Sequence, residues 1–130
     1  MMKKILLFFV ISLQIMLYAN KTNRADYYFD VELDDKNRII RGYADIVYKN
    51  FTQDTLKDMV FHLYANLFRK DGDFLKRKIK SSWEGYTRID SILEENERND
   101  SFRVDKTLGY LKLKNYILPY DSLKLRIYFE

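Results

Sequence analysis

The chain has 130 residues, with 23 Lys and Arg against 19 Asp and Glu, one His, one Pro and no Cys. These counts exclude a His/Cys zinc site, a disulfide framework, a cysteine nucleophile and an iron–sulfur cluster, and leave His62 as the sole candidate for a histidine-based triad. The length suits one domain with a modest core, and 11 Tyr with 9 Phe favour a β-rich globular chain over a disordered one.

Residues 1–19 read as a signal peptide and residues 20–130 as the folded body. Lys3 and Lys4 form a positive lead, Ile5 to Tyr18 an apolar stretch broken by Ser12 and Gln14, and Ala19 a small residue for cleavage. The stretch is shorter than the roughly 20 residues of a spanning helix, so cleavage is expected over retention as a membrane anchor. Two leading lysines and no acidic residue oppose a buried core helix. Cleavage removes two of the 23 basic residues and no acid, so the body carries +2 instead of +4. That near balance argues against nucleic acid as a partner. The expected destination is the periplasm or the exterior, where a chain without Cys is held by packing alone.

From Tyr27 the pattern has period two. Tyr27, Phe29, Val31 and Leu33 share one face, opposite Tyr28, Asp30 and Glu32. Asp34-Asp35-Lys36-Asn37 is a turn cluster. A second strand follows, with Ile40, Gly42, Ala44, Ile46 and Tyr48 facing one way and Arg41, Tyr43, Asp45 and Lys49 the other. Met59, Phe61 and Leu63 alternate with Val60, His62 and Tyr64 as a third. Ala65 to Trp83 reads as a long loop with a short helix near Phe74 to Ile79. Strand character returns over Thr87 to Leu93, and a charged stretch from Glu94 to Asp100 leads to Phe102 and Val104. A turn at Lys106 and Thr107 precedes Tyr110, Leu111 and Leu113. Pro119 to Ser122 make the last turn, before Leu123, Leu125, Ile127 and Phe129 alternate with Lys124, Arg126, Tyr128 and Glu130. The expected fold is all-β, an antiparallel sandwich or saddle-shaped sheet behind an N-terminal signal helix. The last strand runs to Glu130 with no polar cap. An apolar edge that simply stops is an aggregation liability, so an incomplete domain is expected over an edge strand that happens to be last.

Other candidate sites have bland readings. The basic run Arg69, Lys70, Lys76, Arg77, Lys78 and Lys80 could hold phosphate. A solvated loop countered by Asp71, Asp73, Glu94, Glu95 and Glu97 is the commoner outcome. Asp71-Gly72-Asp73 and Asp34 to Asn37 lack the spaced acidic series and closing Glu of a calcium loop. Sequons at Asn50 and Asn99 matter only in a glycosylating host. Trp83 and the tyrosines could stack on sugar rings, but their alternation favours core and cross-strand packing.

Tyr28-Phe29-Asp30-Val31-Glu32-Leu33-Asp34, then Ile40-Arg41-Gly42 and Ile46-Val47-Tyr48-Lys49-Asn50, resemble the opening of the zinc aminopeptidase N family. Asp54-Thr55-Leu56 and Phe61-His62-Leu63-Tyr64-Ala65-Asn66-Leu67-Phe68-Arg69 are similar to that family's next segment, with Ala65 where a Pro is common. Gly85-Tyr86-Thr87-Arg88-Ile89 resembles its Gly-aromatic-x-x-Ile strand. Leu118-Pro119-Tyr120-Asp121-Ser122 is similar to its Leu-x-Pro-Gly-Asp/Glu-Ser turn, with Tyr120 in the Gly position. The resemblance implies the saddle-shaped β domain that precedes the catalytic domain and covers part of its substrate cleft. The family's chemistry needs H-E-x-x-H, a third zinc-ligand Glu and a Gly-x-Met-Glu-Asn strand. None of these occurs here, and His62 matches only a strand position of the motif. The expectation is therefore a non-catalytic domain of an exported aminopeptidase, with no catalytic, cofactor or metal residue of its own. Zinc is expected in the missing catalytic domain, which is also the expected partner. The alternatives are a freestanding exported β-sandwich that binds protein or glycan, and a structural homologue that has lost the peptidase.

Overall fold

The computed structural model describes residues 22–69 and 85–130. The expected signal helix and the helix near Phe74 to Ile79 lie outside these residues. The fold is all-β and antiparallel. Among the described residues eight strands make two sheets: β1 (Arg24–Asp34), β2 (Ile39–Lys49), β3 (Leu56–His62), β4 (Ile89–Glu94), β5 (Glu97–Arg98), β6 (Arg103–Asp105), β7 (Leu108–Ile117) and β8 (Ser122–Phe129). The larger sheet has the order β1-β2-β8-β4-β5 and the smaller β3-β7-β6. A short 3-10 helix, Tyr64–Phe68, follows β3, where alternation alone suggested that the strand runs on through Tyr64.

Period-two alternation builds the core. Ala44 and Ile46 of β2, Ile92 of β4, and Leu123, Leu125 and Ile127 of β8 face Leu111, Leu113 and Ile117 of β7. Burying each of these side chains contributes about 1.5–3 kcal/mol for the larger aliphatics. Phe61, Phe102, Ile89 and Phe129 pack against the cluster from one end. There Phe61 and Phe102 meet edge to face with centroids 6.4 Å apart. Gly109 makes room for that contact, since a Cβ on it would stand 2.5 Å from Phe102 Cζ.

The two sheets are also joined by polar bonds, and these carry the main correction to the sequence reading. Glu94 was expected to be a solvated counter-charge to the basic loop. It is instead 0% exposed, pointing inward beside Ile92. Against β3, strand β7 carries three extra residues, because Leu56 pairs with Ile117 but Asp58 with Lys112. Such a bulge leaves backbone donors without ladder partners. The Glu94 carboxylate crosses from β4 to accept from Lys114 N at 3.0 Å and Asn115 N at 2.5 Å. It also accepts from Asn99 Nδ2 at 2.7 Å, and the same amide donates to Lys112 O at 2.9 Å. Where β7 ends, Asn50 Nδ2 donates to Asp54 O, Ile117 O and Leu118 O.

The charged stretch that begins at Glu94 opens as a tight hairpin. Glu95 and Asn96 take φ of 48° and 72°, the mirror-image turn that suits two antiparallel strands, and β5 follows.

Candidate functional site

The β1–β2 hairpin is longer than the sheet that faces it. Both strands run for 11 residues, against seven in β3. Where the smaller sheet gives out, a cavity of about 270 Å³ opens between the layers. Tyr27 and Phe29 of β1 form one wall, Phe61, His62 and Tyr64 another, and Ile89, Ile127 and Phe129 the floor. Its lining is almost wholly apolar, with His62 and Thr87 as the polar exceptions.

Beyond the cavity the inner face of the hairpin stays uncovered among the described residues. Val31 is 53% exposed, Leu33 67% and Ile40 54%. The register aligns them on one face, Val31 opposite Gly42 and Leu33 opposite Ile40. Alternation placed these side chains correctly on one side of the sheet; the expected cover over that side is missing among the described residues.

His62 is the last residue of β3, at the cavity rim, with its ring parallel to Tyr64 and 5.1 Å away. It occupies the strand position read from the sequence. Among the described residues no group of three His, Cys, Asp or Glu could hold a metal ion. The run from Lys70 to Lys80, Asp71-Gly72-Asp73 and Trp83 lie outside the described residues. The Asp34 carboxylate is used locally: it accepts from Asn37 N at 3.1 Å and Asn37 Nδ2 at 2.8 Å, closing the turn. Those bonds, with the nearby Arg41 guanidinium, hold the Asp34 carboxyl below its ordinary value.

Both sequon asparagines are buried, Asn50 at 0% and Asn99 at 4% exposure. Each uses the third sequon residue in the same way. Asn50 Oδ1 accepts from Thr52 N and Oγ1, and Asn99 Oδ1 from Ser101 N and Oγ. Asn66 is a third buried amide, accepting from Thr87 N at 2.8 Å and donating to Lys106 O at 3.2 Å. Here Asn-x-Ser/Thr is a folding element.

The expectation that tyrosines pack in the core and across strands holds in part, with Tyr48 packed against the core cluster, and needs correcting for the rest. No tyrosine among the described residues is fully buried. Tyr43 and Tyr128 do pair across strands at 5.8 Å, while Tyr27, Tyr28, Tyr64, Tyr86, Tyr116 and Tyr120 are exposed. The rings lie instead beneath cations: Arg126 over Tyr43 at 4.4 Å, Arg103 over Tyr110 at 4.6 Å and Lys57 over Tyr116 at 5.6 Å. Arg126 also grips Asp45 in a two-pronged ion pair of 2.6 and 2.7 Å on the outer face of the larger sheet. That hydrogen bond, stronger than the opposing partial burial, lowers the Asp45 carboxyl. Partial burial and the Asp30 carboxylate raise the Tyr43 phenol. Sequence reading missed this network because Asp45 and Arg126 are brought opposite each other only by the β2–β8 register.

Among the described residues no helix is long and apolar enough to cross a membrane. No family model, curated protein or solved structure matches the chain.

Proposed function

We propose that residues 20–130 are the non-catalytic amino-terminal β domain of an exported aminopeptidase N-like zinc metallopeptidase. On this reading the domain packs on a catalytic domain and helps to keep bulk water and long substrates out of its cleft. The observation that carries it is the uncovered inner face of the β1–β2 hairpin. A self-sufficient sandwich covers that face with its own second sheet. Here Val31, Leu33 and Ile40 continue the apolar row beyond β3, so a neighbouring domain is the natural cover.

Several residues behind the resemblance support the reading, because they stand where the backbone favours the family's residue type. Asn50 and Asn66 are buried and hydrogen-bonded on both sides of the amide. Gly42 lies so close to β1 that a Cβ would strike Asp30 O. Tyr120, in the position where the family commonly has Gly, takes φ of 64° in a turn closed by Asp121 N to Leu118 O at 3.1 Å. Alone, the chain hydrolyses nothing: peptide-bond chemistry enters with the zinc-binding helix of the longer protein.

The test is to follow the native reading frame past Glu130 and express the product. An H-E-x-x-H continuation, with chelator-sensitive hydrolysis of an amino-acyl anilide, supports the reading. A stop codon after Glu130, with a stable soluble monomer, overturns it in favour of a freestanding binding domain. Zinc-dependent hydrolysis by this chain alone overturns the claim that it is inert. The freestanding reading draws on the parallel Tyr27–Phe29 rings, 6.0 Å apart and exposed at the cavity mouth, as a stacking platform for glycan.

A further inference from the structure

Strand β1 is an edge of the larger sheet over its whole length, and each residue from Arg24 to Asp34 is paired with β2 on the other side. Its outward row of N–H and C=O groups has no strand partner among the described residues. Natural sheets blunt such edges with charged side chains, lysine above all, or with proline, a bulge or a very short strand, and of these β1 uses charge, on its outer face alone. β1 has no proline, no lysine and no register shift against β2.

The two faces that flank this edge differ in chemistry. On the inner side stand Tyr27, Phe29 and Val31, the first two lining the cavity. On the outer side Asp26 is neutralised by Arg24 at 2.6 Å and Lys49 at 3.4 Å. Asp30 and Glu32, two residues apart on that face, have no ion-pair partner among the described residues, and Asp30 stands opposite Tyr43 of β2, whose phenol its carboxylate helps to raise.

We propose that the β1 edge docks an extended peptide segment that alternates apolar and basic residues, adding it as a further strand of the larger sheet. Main-chain bonds to the edge supply affinity, and the flanking side chains select the sequence. An added strand lies about 4.8 Å from β1. Its inward side chains then stand beside Tyr27 and Phe29 at the cavity mouth, and its outward ones beside Asp30 and Glu32. Basic residues two apart answer that pair of carboxylates, the apolar residue between them stands beside Val31, and the next apolar residue toward Phe29 meets the cavity mouth. A second copy fits badly, since β1 carries Asp26, Asp30, Glu32 and Asp34 against one Arg24. This inference rests on the edge alone and stands apart from the peptidase reading.

The test uses the full chain and a capped, fluorescent peptide alternating lysine and valine, with anisotropy and amide hydrogen exchange as readouts. Saturable binding is expected, with slowed exchange at alternate β1 amides between Tyr27 and Leu33. A glutamate–valine peptide binds about tenfold more weakly or not at all. N-methylation of the lysine–valine peptide at alternate residues, on the side that faces β1, removes binding by deleting ladder donors. Asp30→Asn combined with Glu32→Gln weakens it about fivefold, from two exposed charge pairs. Equal binding of the acidic peptide, protection confined to strands other than β1, or no binding at millimolar peptide each overturns the proposal. So does a sedimenting dimer that protects β1 and excludes the peptide, which assigns the edge to a second copy.

Discussion

Removing the Glu94 carboxylate tests the claim that the two sheets are joined by charge as well as by apolar packing. The carboxylate is fully buried and takes three N–H donors, from Asn99, Lys114 and Asn115. A hydrogen bond to a charged acceptor contributes about 1.5–3 kcal/mol, and stranding a buried donor costs about 1–3 kcal/mol. Lys114 and Asn115 are only partly shielded, so water rescues some of their donors in a truncated variant. Glu94→Ala is therefore expected to lose about 4 kcal/mol, a large share of the roughly 5–15 kcal/mol that hold such a domain together. Glu94→Gln keeps the shape and one acceptor oxygen but turns an amide donor toward a backbone donor, for a loss of about 2 kcal/mol. Urea unfolding of the full chain reads both as a fall in midpoint at unchanged slope. Both variants falling within 0.5 kcal/mol of the parent would refute the reasoning and reduce the pin to an incidental contact.

Four further outcomes follow from particular atoms. Gly42→Ala places a methyl against Asp30 O and within 2.9 Å of Val31 Cα, so the hairpin must open, and urea midpoints should show a loss of about 2–3 kcal/mol. Tyr120→Gly relieves a left-handed residue in an exposed turn and should stabilise by about 0.5 kcal/mol, while Tyr120→Val, branched at Cβ, should move the midpoint the other way. Asp26, Asp34 and Asp45 all have carboxyls lowered from 3.8 in the folded chain. Their stabilisation is full above that value and is lost as pH falls through the lower folded values, so the midpoint should drop below about pH 4 and less steeply in Asp45→Asn. In a glycosylating host, intact mass should show the soluble folded fraction without glycan at Asn50 or Asn99, because both side-chain amides are buried and already donating; a glycosylated fraction with native urea behaviour contradicts the structural role of both.

What the sequence made legible was period and punctuation. Alternation placed Ala44, Ile46, Leu111, Leu113, Leu123, Leu125 and Ile127 on inward faces, because a strand's side-chain direction is a local property. The turns at Asp34 to Asn37 and Pro119 to Ser122 carried their own signatures, and both are turns in the fold. Illegible were the features set by what crosses between strands. Nothing in the run Glu94-Glu95-Asn96-Glu97 separates the first glutamate from the others; only the bulge of β7, distant in sequence, gives its carboxylate two backbone donors. Asp45 and Arg126 are likewise separated by most of the domain and meet by register. The cavity was hidden for a third reason. It arises from unequal strand lengths in facing sheets, and alternation says which way Tyr27 and Phe29 point without saying what stands opposite.

A domain with no Cys has to fix the offset of its two sheets without a covalent tie, and apolar contact alone resists sliding poorly because it is non-directional. Strand β7 is where that problem is solved. Lys112 O accepts from Asn99, Lys114 N and Asn115 N donate to Glu94, and Ile117 O and the adjoining Leu118 O accept from Asn50, partners all rooted in the larger sheet or just beyond its strand ends. Each bond is directional and fixes one register, whereas the apolar row of Leu111, Leu113 and Ile117 would tolerate a shift of two residues. The pins cluster along β7 from Lys112 to Leu118. At the opposite end Leu108 pairs with His62 and Gly109 with Phe61, and the sheets part around the cavity. The same molecule is therefore pinned most densely at one end, while the other, bridged by Asn66 between Thr87 N and Lys106 O, opens on the cavity. The cavity end is where Tyr27, Phe29 and the β1 edge, unpaired among the described residues, converge, with room between the layers for a side chain from outside.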